Sequence, residues 1–314
     1  MTNLTAKPNP SLTRVTRQLR AALLGAATMT ALACGAGQHS TYNSSLKVID
    51  GTPAEASTYP AVALLRPDKA GVTYVFCTGV LYSPKLVLTA AYCSLDGDDH
   101  PHAVESLGVI AGDSKPEANL DKLIKVSRVT VHPQFDRSKM GKREDGSIHL
   151  DQAHDIAMWE LTTAVTSVKP AAIMSAGAVS GWLSQAQTVT IMGYGKMSPW
   201  ESPWTEHQFA IADTGFTTTY EQRITSIDIV DGHPRSHKKT IQLPAYEGAE
   251  MYAGGRGKPD TCNGDSGGPL FAKTADGGLE LLALTSRGSS TCSEGGIYTV
   301  VPAHQDWFNS FSKN

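Results

Sequence analysis

Short apolar stretches, each closed by glycine, proline or aspartate, recur from Val48 to the C-terminus. VFCTGVLY (75–82) meets KLVLTAA (85–91) through Ser83-Pro84, and LIKVSRVTV, DIAMWEL, TVTIMGYG, QRITSIDIV, ELLALTSRG and GIYTVV follow in turn. Runs this brief, rich in β-branched residues and punctuated this often, predict the strands of an all-β sandwich or barrel. Only PAHQDWFNSF (302–311) reads as a helix: Pro302 opens it, and Trp307 and Phe311 lie four apart on one face. DRSKMGKREDGSIHL (136–150) is charged and polar and reads as an exposed loop. The residues show no internal repeat.

The N-terminus breaks this pattern. Arg14, Arg17 and Arg20 precede AALLGAATMTALA (21–33), an apolar run too short to span a bilayer comfortably. This charge-then-apolar order, with Ala31-Leu32-Ala33 as a small-x-small cleavage site, predicts a signal peptide over 1–33 and an exported protein. Cys34 follows directly, so two readings stand: free secretion after Ala33, or lipidation of Cys34 and attachment to a membrane. Residues 34–47 are mostly small and polar and read as a linker or propeptide. The chain's 314 residues suffice for one large or two ordinary units around a buried core. A net charge of −3 without long basic or acidic runs argues against a nucleic-acid partner.

Apart from Cys34, the chain has Cys77, Cys93, Cys262 and Cys292, an even set suited to disulfides in an exported protein. Spacing alone leaves all three pairings open. There is no C-x-x-C pair, and the lone H-x-x-x-H, His233 and His237, has no cysteine beside it, so neither a metal nor another cofactor is expected.

DTCNGDSGGPL (260–270) carries the chemistry. Glycines around Ser266 permit a sharp turn in which successive N–H groups face one small space. Acyl transfer requires such donors where negative charge develops. A bare G-x-S-x-G is as readily a hairpin turn, but this longer string, flanked by cysteines and followed by a strand-like run, favours a nucleophile.

In this setting the chain from Val48 to about Phe311 resembles the trypsin/chymotrypsin (S1) family of serine endopeptidases. VIDG (48–51) resembles the N-terminus freed when such zymogens are cut, and Lys47 before it suits a trypsin-like activating protease. FCTGVLYSPKLVLTAAYC resembles the segment bearing the catalytic histidine. VTVHPQF and HDIAMWEL resemble the approach to the catalytic aspartate, here Asp155. TIMGYG resembles the opening of the second barrel, and GIYTVV with DWF its closing strand and helix. The resemblance implies two antiparallel six-stranded β-barrels over 48–314, meeting near 162–180, with a C-terminal helix. It also implies bridges Cys77–Cys93 and Cys262–Cys292, a monomer, and a protein or peptide as substrate or ligand.

The same resemblance makes Ser266 the nucleophile and the N–H groups of Gly264 and Ser266 the oxyanion donors. Asp265 would receive the new amino group of Val48. Asp260 would form the floor of a pocket for arginine or lysine, with Ser286 beside it and Gly288 and Gly296 keeping it open. There are three departures. Asp50 replaces a usual glycine. Arg287 stands where the family usually has tryptophan, placed to repel a basic substrate or to pair with Asp260.

The third departure is Tyr92, at the histidine position. Imidazole serves because its pKa of about 6.5 lets it accept and return a proton near neutrality. A phenol with a pKa near 10 is protonated there, and Asp155 would raise that value further. The ring should fill the imidazole space, with its hydroxyl on Asp155 or Ser266. Three readings follow: a protease homologue with crippled catalysis, an endopeptidase using His100, His102 or His154 as substitute base, or a non-catalytic surface binding or scaffold module.

Overall fold

In a computed structural model of the chain the described residues are 48–141, 148–185, 188–196, 207–216, 219–230, 233–255, 257–288, 292 and 294–311, with backbone alone for 219–230, 233–241 and 243. The expected signal peptide, Cys34, the linker and Lys47 lie outside the described residues.

Strands β1 (Thr52–Pro53), β2 (Ala61–Pro67), β3 (Thr73–Ser83), β4 (Leu86–Thr89), β5 (Gly108–Ala111), β6 (Ile124–Val131) and β7 (Ala157–Leu161) form the first half. Of these, β2 to β7 close an antiparallel barrel in the order β2-β3-β4-β7-β6-β5. Strand β2 is apolar at every position from Ala61 to Leu65 because both of its faces are covered. Val62 and Leu64 point into one core with Leu81, Val87 and Trp159. Ala61, Ala63 and Leu65 point the other way, into a core shared with Met192, Phe271 and Phe308 from the second half. Continuous apolarity therefore reflects two cores meeting at one strand.

The second half comprises β8 (Thr188–Gly193), β9 (Ala210–Gly215), β10 (Thr219–Val230), β11 (His233–Pro244), β12 (Tyr246–Glu247), β13 (Glu250–Ala253), β14 (Pro269–Lys273), β15 (Leu279–Gly288) and β16 (Gly296–Val300). Its main sheet runs β1-β9-β8-β14-β15-β16-β13-β12. Setting aside the two-residue strands, these six strands follow the circular order of the first barrel, with only the β9–β13 pairing missing. The hydrogen bond from Gly254 N–H to Gly215 O at 3.1 Å spans that seam. The sequence between the two strands is spent on β10 and β11, which pair only with each other. The two halves thus repeat one topology that no residue pattern displays, and the second expected barrel is a sheet left open at this seam.

The C-terminal helix is present as a 3-10 turn (Val301–His304) continued by an α-helical turn (Gln305–Phe308), and the Trp307 and Phe311 rings touch at 5.2 Å. A second helix, Ala176–Leu183, escapes the sequence reading because Gly177 and Gly181 weaken its signal; Val179 and Leu183 bury its inner face. The expected loop 136–150 is exposed only in part. Its last residues include Ile148 and Leu150, which are buried in the second half's core, and 142–147 lie outside the described residues.

Candidate active site

Strand β4 ends at Thr89 and runs into a 3-10 turn, Ala91–Ser94, that presents Tyr92. Two ties fix this turn: the Cys77–Cys93 bridge, and the buried Trp159 indole N–H donating to Ser94 Oγ at 2.8 Å. The second bridge, Cys262–Cys292, anchors the serine loop, so both pairings implied by the resemblance are present.

Thr78 on β3 joins the loop to the first barrel. Its N–H donates to Ser266 O and its hydroxyl to Gly264 O, each at 2.8 Å, while its own carbonyl accepts from Thr89 Oγ1. Gly264 and Gly267 have φ of +101° and +77°, the left-handed region that favours glycine. A Cβ on Gly264 would meet Gly195 Cα at 2.8 Å, and one on Gly267 would collide with Thr89. Among the described residues the Gly264 and Ser266 amides make no hydrogen bond, so both remain available as donors.

Asp155 is fully buried and meets Tyr92 through the backbone: the Tyr92 N–H donates to its Oδ1 at 3.1 Å. Ser286, expected beside the pocket, donates to Asp155 Oδ2 at 2.7 Å. Burial pushes the Asp155 carboxyl up to about 6. The Tyr92 hydroxyl does not reach Asp155 but donates to Ser266 Oγ. Burial raises the phenol well above its ordinary value, and Asp155 adds to the rise. Ser266 therefore accepts a hydrogen bond where a base would have to take its proton.

None of the three histidines considered as substitutes replaces Tyr92 at Ser266. His102 Nε2 accepts from Arg66 at 2.6 Å. His100 is exposed, its Nδ1 3.7 Å from Asp96. His154, as expected, is turned from Asp155, with its Nδ1 3.1 Å from His304 Nε2.

Asp265 is fully buried, with its carboxylate accepting from Gly195 N–H at 2.8 Å and Cys262 N–H at 2.9 Å. No cation pairs with it among the described residues, and burial pushes it up to about 7. Asp260 is also buried and pushed up to about 6; its side chain accepts from Thr261 and Gly295 N–H. Ile49 pairs with Asp260 backbone to backbone, and Val48 is buried. Asp50 has φ of +58°, which explains why glycine would suit the position. Gly288 is exposed, whereas Gly296 is buried in register with it.

Arg287 does not engage Asp260. Its guanidinium grips Glu250 by two bonds of 2.7 and 3.0 Å and the His149 carbonyl at 2.7 Å. The fully buried Glu250 also accepts from the N–H groups of Gln152 and Ala153, just before Asp155. The sequence reading missed both Glu250 and Thr78, since the groups they bond lie far off in the chain, 186 residues from Thr78 and 98 from Glu250.

Behind Asp155, three imidazoles pack together. His132 stacks on His154 at 5.3 Å, and His304 meets both edge-on, with Trp307 against His132. His304 Nδ1 donates to Val300 O at 2.9 Å, so its Nε2 accepts from His154, while His132 Nδ1 accepts from Gln134 N–H. His132 and His304 must be neutral for this pattern, since each uses a ring nitrogen as an acceptor. Burial and mutual repulsion pull His132 and His304 down to about 4, while burial and the charge of Lys139 lower His154; Glu250 opposes the shift at His154 and His304.

Rings held neutral contribute stability that is whole above their unfolded value near 6.5 and is lost as pH falls toward 4. Asp155, Asp260 and Asp265 act in the opposite sense, since their raised values make burial costliest above neutrality and relieve it in acid. The His132→Gln variant separates the two. Between about pH 7 and pH 4.5 its unfolding free energy should fall by about 1 to 2 kcal/mol less than that of the natural chain in urea titrations, solvent near the ring screening part of the effect. Parallel pH profiles would show that His132 is not held neutral.

Asp96, Asp98 and His100 offer ligand atoms within 4.8 Å of one another on the surface. Asp96 Oδ1 is, however, already accepting from the N–H groups of Asp98 and His100, as in an ordinary aspartate turn.

The geometry agrees with comparisons to known proteins. The trypsin family model matches residues 48–308. Trypsin-1 of Astacus astacus is 24% identical over 84% of this chain and 99% of its own length. The trypsin of Saccharopolyspora erythraea is 26% identical over 82% and 95%, and human chymotrypsin-like elastase family member 1 is 26% identical over 84% and 92%. The chain belongs to the trypsin family of serine peptidases.

Proposed function

We propose that this chain is an exported member of the family whose cleft binds polypeptide segments while its catalysis is crippled at Tyr92. The observation carrying this reading is the Tyr92 hydroxyl on Ser266 Oγ, a donor at the position that needs an acceptor. Ser266 remains the nucleophile by position, with the Gly264 and Ser266 amides facing the developing oxyanion. Cleavage after Lys47 by an activating protease would free the Val48 amino group, and the unpaired buried Asp265 is its natural partner. Asp260 recognises arginine or lysine, and with Arg287 engaged by Glu250 no cation among the described residues pairs with that carboxylate. The signal at 1–33 directs export, with Cys34 either the first residue of a freely secreted protein or lipidated as the membrane anchor of the uncut chain, from which cleavage after Lys47 would release residues 48–314.

The test is binding of p-aminobenzamidine, an arginine mimic, to protein cleaved after Lys47. Fluorescence titration should show saturable binding without hydrolysis of an arginyl peptide. Asp260→Asn should weaken it by at least about 30-fold, the loss expected when a confined charge pair is broken. Failure to bind, or indifference to Asp260→Asn, would overturn the pocket assignment.

A further inference from the structure

Next to Tyr92, along the Cys77–Cys93 bridge, lies a cleft of about 600 Å³. Its lining carries three permanent cations, Arg66, Arg137 and Lys196, against a single carboxylate, Asp96. That carboxylate is turned to backbone N–H groups, and Arg137 is matched by Asp99, which is outside the lining.

Arg66 is different. Its Nε donates to the Tyr74 hydroxyl at 3.3 Å, its Nη1 donates to His102 Nε2 at 2.6 Å, and the guanidinium carbon lies 4.5 Å from the centre of the Phe76 ring. All three neighbours are neutral. Burial and the charge of Arg66 lower the pKa of His102, which keeps that ring an acceptor. Among the described residues no carboxylate pairs with Arg66, so a half-buried, rigidly held positive charge faces the recess. The serine loop lines the same cleft, through Asn263 and Gly264.

We infer that this cleft takes acidic side chains of the bound polypeptide, with Arg66 as the residue that selects them. The inference rests on the reading of the site as a polypeptide-binding cleft and names the chemistry of what enters beside Ser266. A planar guanidinium already oriented by an aromatic face and two hydrogen bonds loses little freedom on gripping a carboxylate. The occupant is a peptide and not a nucleic acid. A polynucleotide needs a succession of phosphate contacts along a surface, whereas here the cations converge in one recess on a chain of net charge −3.

The probes are two fluorescein-labelled octapeptides that share one arginine and carry either two glutamates or two glutamines just after it. Anisotropy with the protein cleaved after Lys47 should show the glutamate peptide binding at least about tenfold tighter in about 20 mM NaCl, with the difference shrinking in about 500 mM. Arg66→Gln should abolish that preference while leaving affinity for the glutamine peptide in place, and Arg66→Lys should retain most of it; thermal melts verify that both variants are folded.

Equal affinity for the two peptides, or an Arg66→Gln loss shared by both, overturns the acidic preference and leaves the cleft reading standing. Binding of neither peptide overturns both. An oligothymidylate that binds more tightly than the glutamate peptide overturns the choice of occupant.

Discussion

Replacing Tyr92 by histidine is expected to raise hydrolysis of an arginyl peptide by at least about 10⁴-fold in protein cleaved after Lys47. Loss of the triad histidine in subtilisin costs around 10⁶ in kcat, and what survives without a triad is about 10³ to 10⁴ over water. The gain is available only if everything around the substituted ring is in place. The Tyr92 backbone already meets Asp155, Ser286 already braces the other carboxylate oxygen, and the donor loop is shaped by Gly264 and Gly267. An imidazole on the same turn would have Asp155 on one side and Ser266 on the other. Stopped assays of the natural chain, Tyr92→His and Ser266→Ala, run together, decide the matter. Turnover by Tyr92→His alone makes the natural protein a binding homologue on a sound scaffold. Turnover by the natural chain that disappears in Ser266→Ala makes it an enzyme with another base. An inert Tyr92→His places a further defect elsewhere in the site.

What the residues disclosed and what they withheld divide along a physical line. Ser266, Asp260 and Tyr92 sit in contiguous strings whose composition states a local geometry: a glycine turn, a pocket acid, a strand end closed by cysteine. The all-β class was legible for the same reason, because period and punctuation are local. Contacts between distant stretches were not. Thr78 meets the serine loop across 186 residues, and Arg287 on β15 reaches past β16 to Glu250 on β13 rather than to the aspartate that the resemblance suggested. The histidine cluster draws on 132, 154 and 304, none of which belongs to a shared motif. The repeated topology was also hidden, since strand order constrains burial but not residue identity, and the inserted β10–β11 hairpin keeps the second copy open.

Breaking the Glu250–Arg287 pair is the second large effect, expected to cost about 3 to 5 kcal/mol in the Glu250→Leu variant. The side chains are 0% and 7% exposed, so removing the carboxylate strands a guanidinium away from water. It also removes the acceptor of Gln152 and Ala153 N–H in a stretch where Gln152 and His154 hold left-handed φ of +57° and +50°. Those backbone conformations are costly for residues other than glycine and persist only when the surroundings enforce them. Arg287→Met alone should be milder, because Glu250 keeps its two backbone donors. The double variant, Glu250→Leu with Arg287→Met, should recover much of the loss, since neither charge is left buried alone, and retain about 1 to 3 kcal/mol for the two orphaned N–H groups. Urea unfolding of the four proteins closes the cycle, and additive losses would show that the two residues do not act as a pair. Repeated in the Tyr92→His background, the cycle also separates stability from positioning. If Glu250 orients the segment leading into Asp155, its loss should lower kcat more than it changes KM, whereas a purely structural role would leave the folded fraction fully active.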